Sequence, residues 1–406
     1  MHSRASGHLE PVPGAATPGR ATFLELFFDL VFVFALTRIS ARAFENLAQD
    51  PGRHDVWGAV TGGGKTLLLL LALWAVWQGT AWTTSRYDPY RVPLQAVVIT
   101  ALVCSMLMGV AILRAFTETA LMFAVAYVIA QLSRPVILLF ALGPHPYRRL
   151  KARMAVAYAV SGVLWVGGAL LSTNAQVVLW STALAFEYLV ARCGWPVPGL
   201  GRSKISRWEI AGEHLAERYQ QFFLVALGET ILVAGFAYSK GPYEAGHAWA
   251  FALALATSIM LWRIYIQRAG QVLGEAVTMA RHPATIGRSA ADTHLVMVIG
   301  LALTAIGYEL IIEDPLERVS GPWLVVVLGG PVLFLAGRAR LEYEVFARVS
   351  PSRWIALLVL LASAVPLLAL PGVVATAVGA VVLAAVVVTD ARRARGAPPE
   401  PAAPPF

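Results

Sequence analysis

Two carboxylates lie close together in the first long apolar segment of the chain. Glu25 and Asp29 are four residues apart in a run of Phe, Leu and Val, which puts both side chains on one face of a helix. Two like charges on adjacent turns repel in a low-dielectric site, so one should hold a proton unless a cation lies between them. The pair predicts either a buried site for protons or cations, or two acids that complement the helix N-terminus at the membrane surface.

A polar stripe begins at His214. Arg218, Gln221 and Glu229 follow it at helical spacing, and Glu229 lies ~16 Å deeper than Arg218 at 1.5 Å per residue. Gly228 is expected to admit a neighbouring helix at this depth. Because ionisable groups are costly near the bilayer centre, Glu229 is the strongest single site candidate.

Other ionisable side chains in apolar segments complete the candidate set. Arg134 precedes a proline and is expected to be the counter-charge of Glu229, of Glu187 or of the first segment. The structural alternative is that Glu229 pairs with Arg134 or accepts from a hydroxyl, and so forms a buried strut without chemistry. The candidate ion- or substrate-binding residues are Glu25, Asp29, Arg134, His214, Glu217, Arg218, Glu229, His294 and Glu309.

Metal, disulfide and nucleotide sites are not expected. Cys104 and Cys193 have no metal-ligand spacing, and the eight histidines are scattered. A Gly-Gly-Gly-Lys-Thr run ending at Thr66 resembles a phosphate-binding loop, but Ala59 stands where the pattern needs its first glycine. We therefore expect no metal and no cofactor, and the sequence assigns no catalytic residue.

Long apolar helices must position these residues. The chain has 406 residues, of which 58% are hydrophobic and 14% charged, whereas soluble domains carry about 25% charged residues. The composition predicts an all-α polytopic integral membrane protein. About twelve segments are long enough to cross a hydrocarbon core of ~30 Å: roughly 22–40, 64–83, 92–113, 119–141, 154–171, 176–192, 214–237, 247–266, 291–312, 321–337, 354–370 and 372–390.

The order of these segments predicts a domain organisation with two six-helix halves. The last two segments are alternatively one broken helix, and a true repeat between the halves is left open. In chain order we expect a disordered leader at 1–20, a first half at 21–193, an interfacial loop at 194–212, a second half at 213–390 and a disordered tail at 391–406.

The distribution of basic residues predicts the orientation in the membrane. Most of the 32 Lys and Arg residues lie in the loops of one side, which places both termini in the cytoplasm. Basic loops on that side face anionic lipid, so the positive charge does not indicate nucleic-acid binding. The expected partners are the lipid bilayer and a small solute, ion or lipid substrate, and the oligomeric state is left open.

Two runs carry a resemblance to a known family. Phe23–Ser40, FLELFFDLVFVFALTRIS, resembles the N-terminal signature of the bacterial low temperature requirement A family, and His214–Leu232, HLAERYQQFFLVALGETIL, is similar to its second signature. His294–Pro315 is similar to a later family helix. The resemblance implies a polytopic bacterial inner-membrane protein whose characteristic positions are Glu25, Asp29, Arg38, His214, Glu217, Arg218, Gly228, Glu229, His294 and Glu309.

The family name concerns growth at low temperature, so the activity must be argued from the residues. The leading hypothesis is a transporter or channel for an ion or small solute, in which Glu229 and the Glu25/Asp29 pair bind protons or cations. The alternative is a membrane-embedded enzyme that uses acid/base carboxylates on a lipid or prenyl substrate. A third hypothesis is a non-catalytic membrane protein that supports other proteins in the cold.

Overall fold

The computed structural model describes residues 20–48, 56–203, 210–395 and 400–405. These residues are predominantly helical and contain no β-strand beyond two isolated bridges, so the all-α prediction is confirmed for this part of the chain. The helices are α1 (Phe23–Ala48), α2 (Val56–Thr84), α3 (Val92–Ala111), α4 (Ala120–Ala141), α5 (Tyr147–Ala169), α6 (Thr173–Arg192), α7 (Gly212–Lys240), α8 (Ala245–Ile266), α9 (Leu273–Met279), α10 (Pro283–Glu313), α11 (Gly321–Phe346), α12 (Pro351–Leu367) and α13 (Gly372–Ala394).

Nine of the described helices are long and apolar enough to cross a membrane. They are α2 to α5, α7, α8, α10, α11 and α13, and they make the chain a multi-pass membrane protein. Helix α12 is apolar but shorter, with 17 residues. Helix α1 is long but carries several charged residues, among them Glu25, Asp29 and Arg38. The predicted number of twelve spans therefore stays a prediction.

The chain forms two compact units. In the first, helices α3 to α6 each pack against the next in chain order, as short connections between antiparallel helices require. In the second, α8 packs on α13, and α11 packs on both α12 and α13. The predicted halves at 21–193 and 213–390 are not tested by this division. The first unit comprises Met1–Ala35, Leu68–Leu215 and His282–Thr285, and the second comprises Leu36–Leu67, Ala216–Arg281 and Ile286–Phe406.

Helix α9 was not expected from hydropathy, because it is only 7 residues long. Its buried residues Leu273, Ala276 and Val277 follow the three- and four-residue spacing of one helix face. Glu275 lies in the first turn, where a negative charge complements the helix dipole. A helix of about two turns is too short to cross a membrane, so a search for membrane-spanning segments does not find it.

The last two apolar segments are separate helices. Helix α12 contains Pro366 near its end, and Pro371 precedes α13. Each proline removes a backbone donor, so a continuous ladder of helical hydrogen bonds cannot pass through both. At this break a backbone group bonds outside the two helices: Gly372 N–H donates to the carbonyl of Glu317, in the same unit, at 2.9 Å.

The N-terminal and C-terminal segments are described to different extents. Residues 1–19 of the predicted leader lie outside the described residues. Part of the predicted disordered tail is ordered: α13 continues to Ala394, Glu400 pairs with Arg268 and Arg348, and Ala403 N–H donates to Val345 O at 2.8 Å. The guanidinium groups of Arg268 and Arg348 both bind the Glu400 carboxylate and hold this segment on the second unit. This contact was not predicted from the sequence.

The predicted interfacial loop at 194–212 is described except for 204–209. Within it, Trp195 is buried, and its ring lies 5.2 Å from the Tyr158 ring, centroid to centroid. A left-handed backbone at Trp195, with φ of 59°, turns the chain back after α6. The indole therefore covers the side of α5 within the first unit.

Cysteine labelling across α6 tests the orientation and the span together. Cys193 is exposed just after α6, and Ser172 is exposed just before it. If α6 crosses the membrane with its C-terminal end in the cytoplasm, an impermeant maleimide applied to intact cells should label Ser172→Cys but not Cys193. Both sites should react after permeabilisation. Labelling of Cys193 alone would reverse the orientation, and labelling of both in intact cells would remove α6 from the spans.

Candidate functional site

Glu25 caps the first helix. Its carboxylate Oε2 accepts from Thr22 N–H and from the Thr22 hydroxyl, both at 2.9 Å, and Glu25 N–H donates to Thr22 Oγ1 at 3.3 Å. These reciprocal bonds form a capping box, in which the residue before the helix and the third helical residue satisfy each other's backbone donors. The carboxylate is only 1% exposed, so this cap is inside the first unit and not at its surface.

A hydroxyl, an imidazole and a carboxylate form a chain in the first unit. His214 Nε2 lies 3.3 Å from Glu25 Oε2, and His214 Nδ1 lies 2.9 Å from the Ser85 hydroxyl oxygen. Ala211 N–H donates to the Ser85 carbonyl at 2.9 Å, which holds the start of α7 beside the end of α2. All three side chains are buried.

Ser85 also bonds to its own helix, because its hydroxyl donates to the Ala81 carbonyl at 2.8 Å. His214 therefore lies between a hydroxyl and the Glu25 carboxylate, which is the geometry of a proton relay or a general base.

Asp29 also lies in the first unit, one helical turn beyond Glu25. Its carboxylate accepts from Trp77 Nε1 at 2.8 Å and is 2% exposed. The indole N–H can only donate, so the Asp29 carboxylate is the acceptor in this bond. The structure thus places both acids of α1 inside the protein.

Glu187 lies at the centre of a network of donors between α4, α5 and α6. Tyr127 donates to it at 2.5 Å and Trp165 at 3.1 Å, and Ser161 donates through a short bond. Gln131 bridges the network at 3.0 Å from the Tyr127 hydroxyl. A buried carboxylate with this many donors is well satisfied, which is typical of a structural charge.

Arg134 joins this network from α4. Its Nη2 donates to Gln131 Oε1 at 2.8 Å and to the Tyr158 hydroxyl at 3.1 Å. One of its predicted counter-charges, Glu187, acts electrostatically with Arg134 in the first unit. The guanidinium lies against α2 at Gly79, where a Cβ atom would overlap it.

Replacing Gly79 by alanine tests whether this space is needed. The new methyl would displace the guanidinium of Arg134 from its partners, so Gly79→Ala should lower the free energy of unfolding by ~1–3 kcal/mol. Gly167→Ala in α5 is the matched control, because no described atom lies within 4 Å of its Cβ. The control should be neutral or stabilising by up to ~1 kcal/mol. Equal thermal unfolding of both variants would show that Arg134 does not depend on Gly79.

Glu229 is the deeply buried acid of the second unit. It is 1% exposed, and its Oε2 accepts from the Thr37 hydroxyl at 2.6 Å. Its second oxygen, Oε1, is buried and has no hydrogen-bond partner in the described part of the chain. The predicted tight contact at Gly228 is absent there, because no described atom lies within 4 Å of a Cβ at that position.

Two further acids of the second unit lie on the same side as Glu229. Glu309 is half-buried in α10, and its charge acts on Glu229. Glu313 is exposed one turn later on α10, and its charge acts on Glu309. The three carboxylates are therefore progressively more buried, from Glu313 through Glu309 to Glu229.

Gln221 of the α7 stripe links Arg218 to Glu217, a candidate residue beside the stripe. Arg218 Nη1 donates to Gln221 Oε1 at 3.1 Å, and Gln221 Nε2 donates to Glu217 Oε1 at 3.1 Å. Arg218 is fully buried within the second unit. The predicted alignment of Arg218 and Gln221 on one helix face is thus present as a hydrogen bond.

Both ring nitrogens of His294 are used within the second unit. Nδ1 donates to the Ala290 carbonyl at 2.7 Å, since a carbonyl can only accept. Nε2 lies 3.0 Å from the Tyr265 hydroxyl, and the ring stacks on Tyr219 with centroids 5.0 Å apart. This environment is that of a satisfied core histidine.

A small cavity in the second unit is lined by hydroxyl groups. Thr257, Thr304, Tyr308 and Thr376 contribute from α8, α10 and α13, and Pro331 of α11 closes it. It has room for about one water molecule. The rest of its wall is apolar, and Thr257, Thr304 and Thr376 donate to carbonyls of their own helices.

Sequence reasoning missed the donors around Glu187 and the role of Ser85. Tyr127, Gln131 and Arg134 recur at four and three residues along α4, so this polar face was visible in the sequence. No pattern connected Ser85 with His214, because 129 residues separate them. Among the described residues, no group of three or more His, Cys, Asp or Glu side chains could hold a metal ion.

Comparisons with known proteins agree with the motifs. The family model described as bacterial low temperature requirement A protein matches residues 20–388. An uncharacterized protein of Rhizobium meliloti (strain 1021) is 32% identical over 335 residues, which cover 82% of this chain and 79% of the relative. No solved structure matches the chain.

Proposed function

The chain belongs to the bacterial low temperature requirement A family, and from this premise we propose that it is an inner-membrane transporter for an ion or small solute, driven by a proton or cation. Both termini lie in the cytoplasm in this proposal, because the basic loops favour that side. Its cargo crosses the bilayer without covalent change.

One observation carries the proposal: the graded series of carboxylates in the second unit. Glu313 is exposed, Glu309 is half-buried and Glu229 is buried, and each acts electrostatically on the next. Glu229 lies ~16 Å before α7 ends at Lys240, which is within hydrocarbon depth. Acids in such a series are how transporters and pumps move protons between water and a buried site.

Glu229 is suited to exchange its proton because only one of its oxygens is hydrogen-bonded. Thr37 donates to Oε2 and stabilises the ionised acid. The Ser40 hydroxyl also acts on this carboxylate, but no described donor forms a hydrogen bond of good geometry with Oε1, so this oxygen can take up a proton or bind a cation. An acid that was fully satisfied, as Glu187 is, would not release or bind a proton at small cost.

The alternative is a membrane-embedded enzyme, and the Ser85–His214–Glu25 chain favours it. In this function His214, oriented by Glu25, would take the Ser85 proton while Ser85 Oγ attacks the carbonyl carbon of a lipid ester. The ester C–O bond would break, the lipid alcohol would leave with the proton from His214, and water would then hydrolyse the acyl-serine. However, Ser85 is 1% exposed and its hydroxyl donates to its own helix. The transporter is therefore the better supported function.

Proteoliposomes distinguish the two functions in one preparation. A pH-sensitive dye inside the vesicles should report proton movement when a membrane potential is imposed and the protein is present. Lipid extracts of the same vesicles should be unchanged by mass spectrometry. Unchanged internal pH together with a new lipid product would replace the transporter by the enzyme.

A further inference from the structure

Two hydroxyl side chains of α1 face the Glu229 carboxylate in the second unit. Thr37 and Ser40 are three residues apart, so they lie on one face of α1. Thr37 donates to Glu229 Oε2 at 2.6 Å. A rise of 1.5 Å per residue places Ser40 ~4.5 Å further along the same face, where its hydroxyl acts on the same carboxylate.

Two oxygen atoms at this position are buried without a hydrogen bond. Glu229 Oε1 and Ser40 Oγ both lack a hydrogen bond of good geometry with any described residue. Glu229 and Ser40 are each only 1% exposed, so bulk water does not satisfy these atoms. Because buried polar atoms are normally hydrogen-bonded, a carboxyl oxygen and a hydroxyl beside each other are suited to bond to one another.

Ser40 differs in this respect from other buried hydroxyl groups of the second unit. Thr230, Thr257 and Thr304 donate to carbonyls of their own helices at 2.7, 2.7 and 2.8 Å. Such bonds to the backbone are usual for Ser and Thr inside helices. Ser40 makes no such bond to a described residue, so its hydrogen is available to a group outside α1.

A hydroxyl is suited to an acid that gains and loses a proton. It has one donor and two acceptor lone pairs, whereas an indole N–H, such as that of Trp165 at Glu187, can only donate. Ionised Glu229 requires a donor at each oxygen, and Thr37 supplies the one at Oε2. Protonated Glu229 requires an acceptor for its O–H group. A single hydroxyl beside Oε1 meets both requirements when its O–H bond rotates.

We propose that Ser40 is a positioning residue for proton exchange at Glu229. Its hydroxyl donates to Oε1 when the acid is ionised and accepts from the Oε1 O–H group when the acid carries its proton. The proton enters and leaves Oε1, and Ser40 neither gains nor loses one. The charged group that acts on Glu229 is Glu309 of α10, so the exchange takes place beside a second acid. The inference rests on the transport function proposed above and narrows its coupling ion to a proton.

The carbonyl band of protonated Glu229 in infrared spectra reports this hydrogen bond without any measurement of transport. The band is identified by its loss in Glu229→Gln. An O–H group that donates to Ser40 lowers the wavenumber of the band, so the band should move to a higher wavenumber in Ser40→Ala. In Ser40→Cys it should lie between these two positions, because a thiol is a weaker hydrogen-bonding group than a hydroxyl.

A control variant and two further measurements separate this role from a merely structural one. Ser363→Ala makes the same chemical change in α12, where the hydroxyl donates to the Leu360 carbonyl, and should leave the band in place. The melting temperature of Ser40→Ala should stay close to that of the parent, because Ser40 has no bond of good geometry with a described residue to lose. Flux into proteoliposomes should fall about ten-fold in Ser40→Ala, as expected for the loss of one hydrogen bond to a charged group.

The possible results distinguish failure of this inference from failure of the proposed function. If Ser40→Ala leaves the band unmoved, or if the parent has no Glu229 band at any pH, Ser40 does not have this role. Disappearance of the band when sodium is added at constant pH would assign Oε1 to a metal cation instead. A parent without flux, whose band still moves in Ser40→Ala, would overturn the transport function and support the hydrogen bond between Ser40 and Glu229.

Discussion

Removing either partner of the Arg353–Asp390 ion pair is expected to destabilise the protein by ~3–5 kcal/mol. Arg353 Nη2 donates to Asp390 Oδ2 at 2.5 Å, and both residues are 2% exposed. Arg353 Nε also lies 3.5 Å from Glu342, so one guanidinium holds α11, α12 and α13 together in the second unit. The variant Arg353→Met leaves the Asp390 charge buried without this partner, and Asp390→Leu leaves Arg353 with Glu342 alone.

A double-mutant cycle gives the coupling between these two charges. Unfolding by sodium dodecyl sulfate in mixed micelles should show that Arg353→Met with Asp390→Leu is more stable than the sum of the single variants allows. Arg393→Gln is the control, since Arg393 is exposed three residues from Asp390. Its effect should remain within ~0.5 kcal/mol. Additive single effects would mean that the pair contributes no coupling energy.

Glu229→Gln is expected to abolish proton-driven flux while the protein still folds. Glutamine keeps the volume of the side chain and an acceptor for the Thr37 hydroxyl, so stability should remain within ~1 kcal/mol of the parent. The amide cannot exchange a proton, which removes the coupling step. Melting temperature and vesicle flux, measured on the same preparation, give both results.

Two companion variants make the Glu229 result specific. Glu229→Ala leaves a hole and removes the acceptor of Thr37, so it should lose stability as well as flux. Glu213→Gln makes the same chemical change at an exposed position of α7 and should leave flux unchanged. A Glu229→Gln variant that melts far below the parent would make Glu229 structural, and one with full flux would remove it from the mechanism.

The sequence predicts the helices well because their cause is local. Apolar runs of about twenty residues must be helical in a bilayer, since no water is present to satisfy the backbone. Helix α9 and the docked segment around Glu400 escape this reasoning. The first is too short for a span, and the second depends on Arg268 and Arg348, which are far from it in the chain.

The candidate site is predictable only in part, for the same reason. Depth along a helix follows from residue number, so the burial of Glu229 could be expected, whereas a buried site and the membrane surface were both open for Glu25 and Asp29. The partners of these residues on other helices could not be predicted. Helical periodicity shows which residues share a face of a helix, but not which other helix packs against that face. His214 illustrates the difference: its position on the stripe was visible, but its contact with Ser85 depends on how α2 and α7 pack.

Infrared spectroscopy of the reconstituted protein tests most directly whether Glu229 exchanges its proton with water. A protonated buried carboxyl gives a carbonyl band that shifts when its hydrogen is replaced by deuterium. We predict a band that shifts after transfer to D₂O, changes with pH and is missing from Glu229→Gln but present in Glu213→Gln. If the spectra of the parent and Glu229→Gln are identical under all these conditions, Glu229 does not exchange a proton, and it cannot be the coupling group of a transporter.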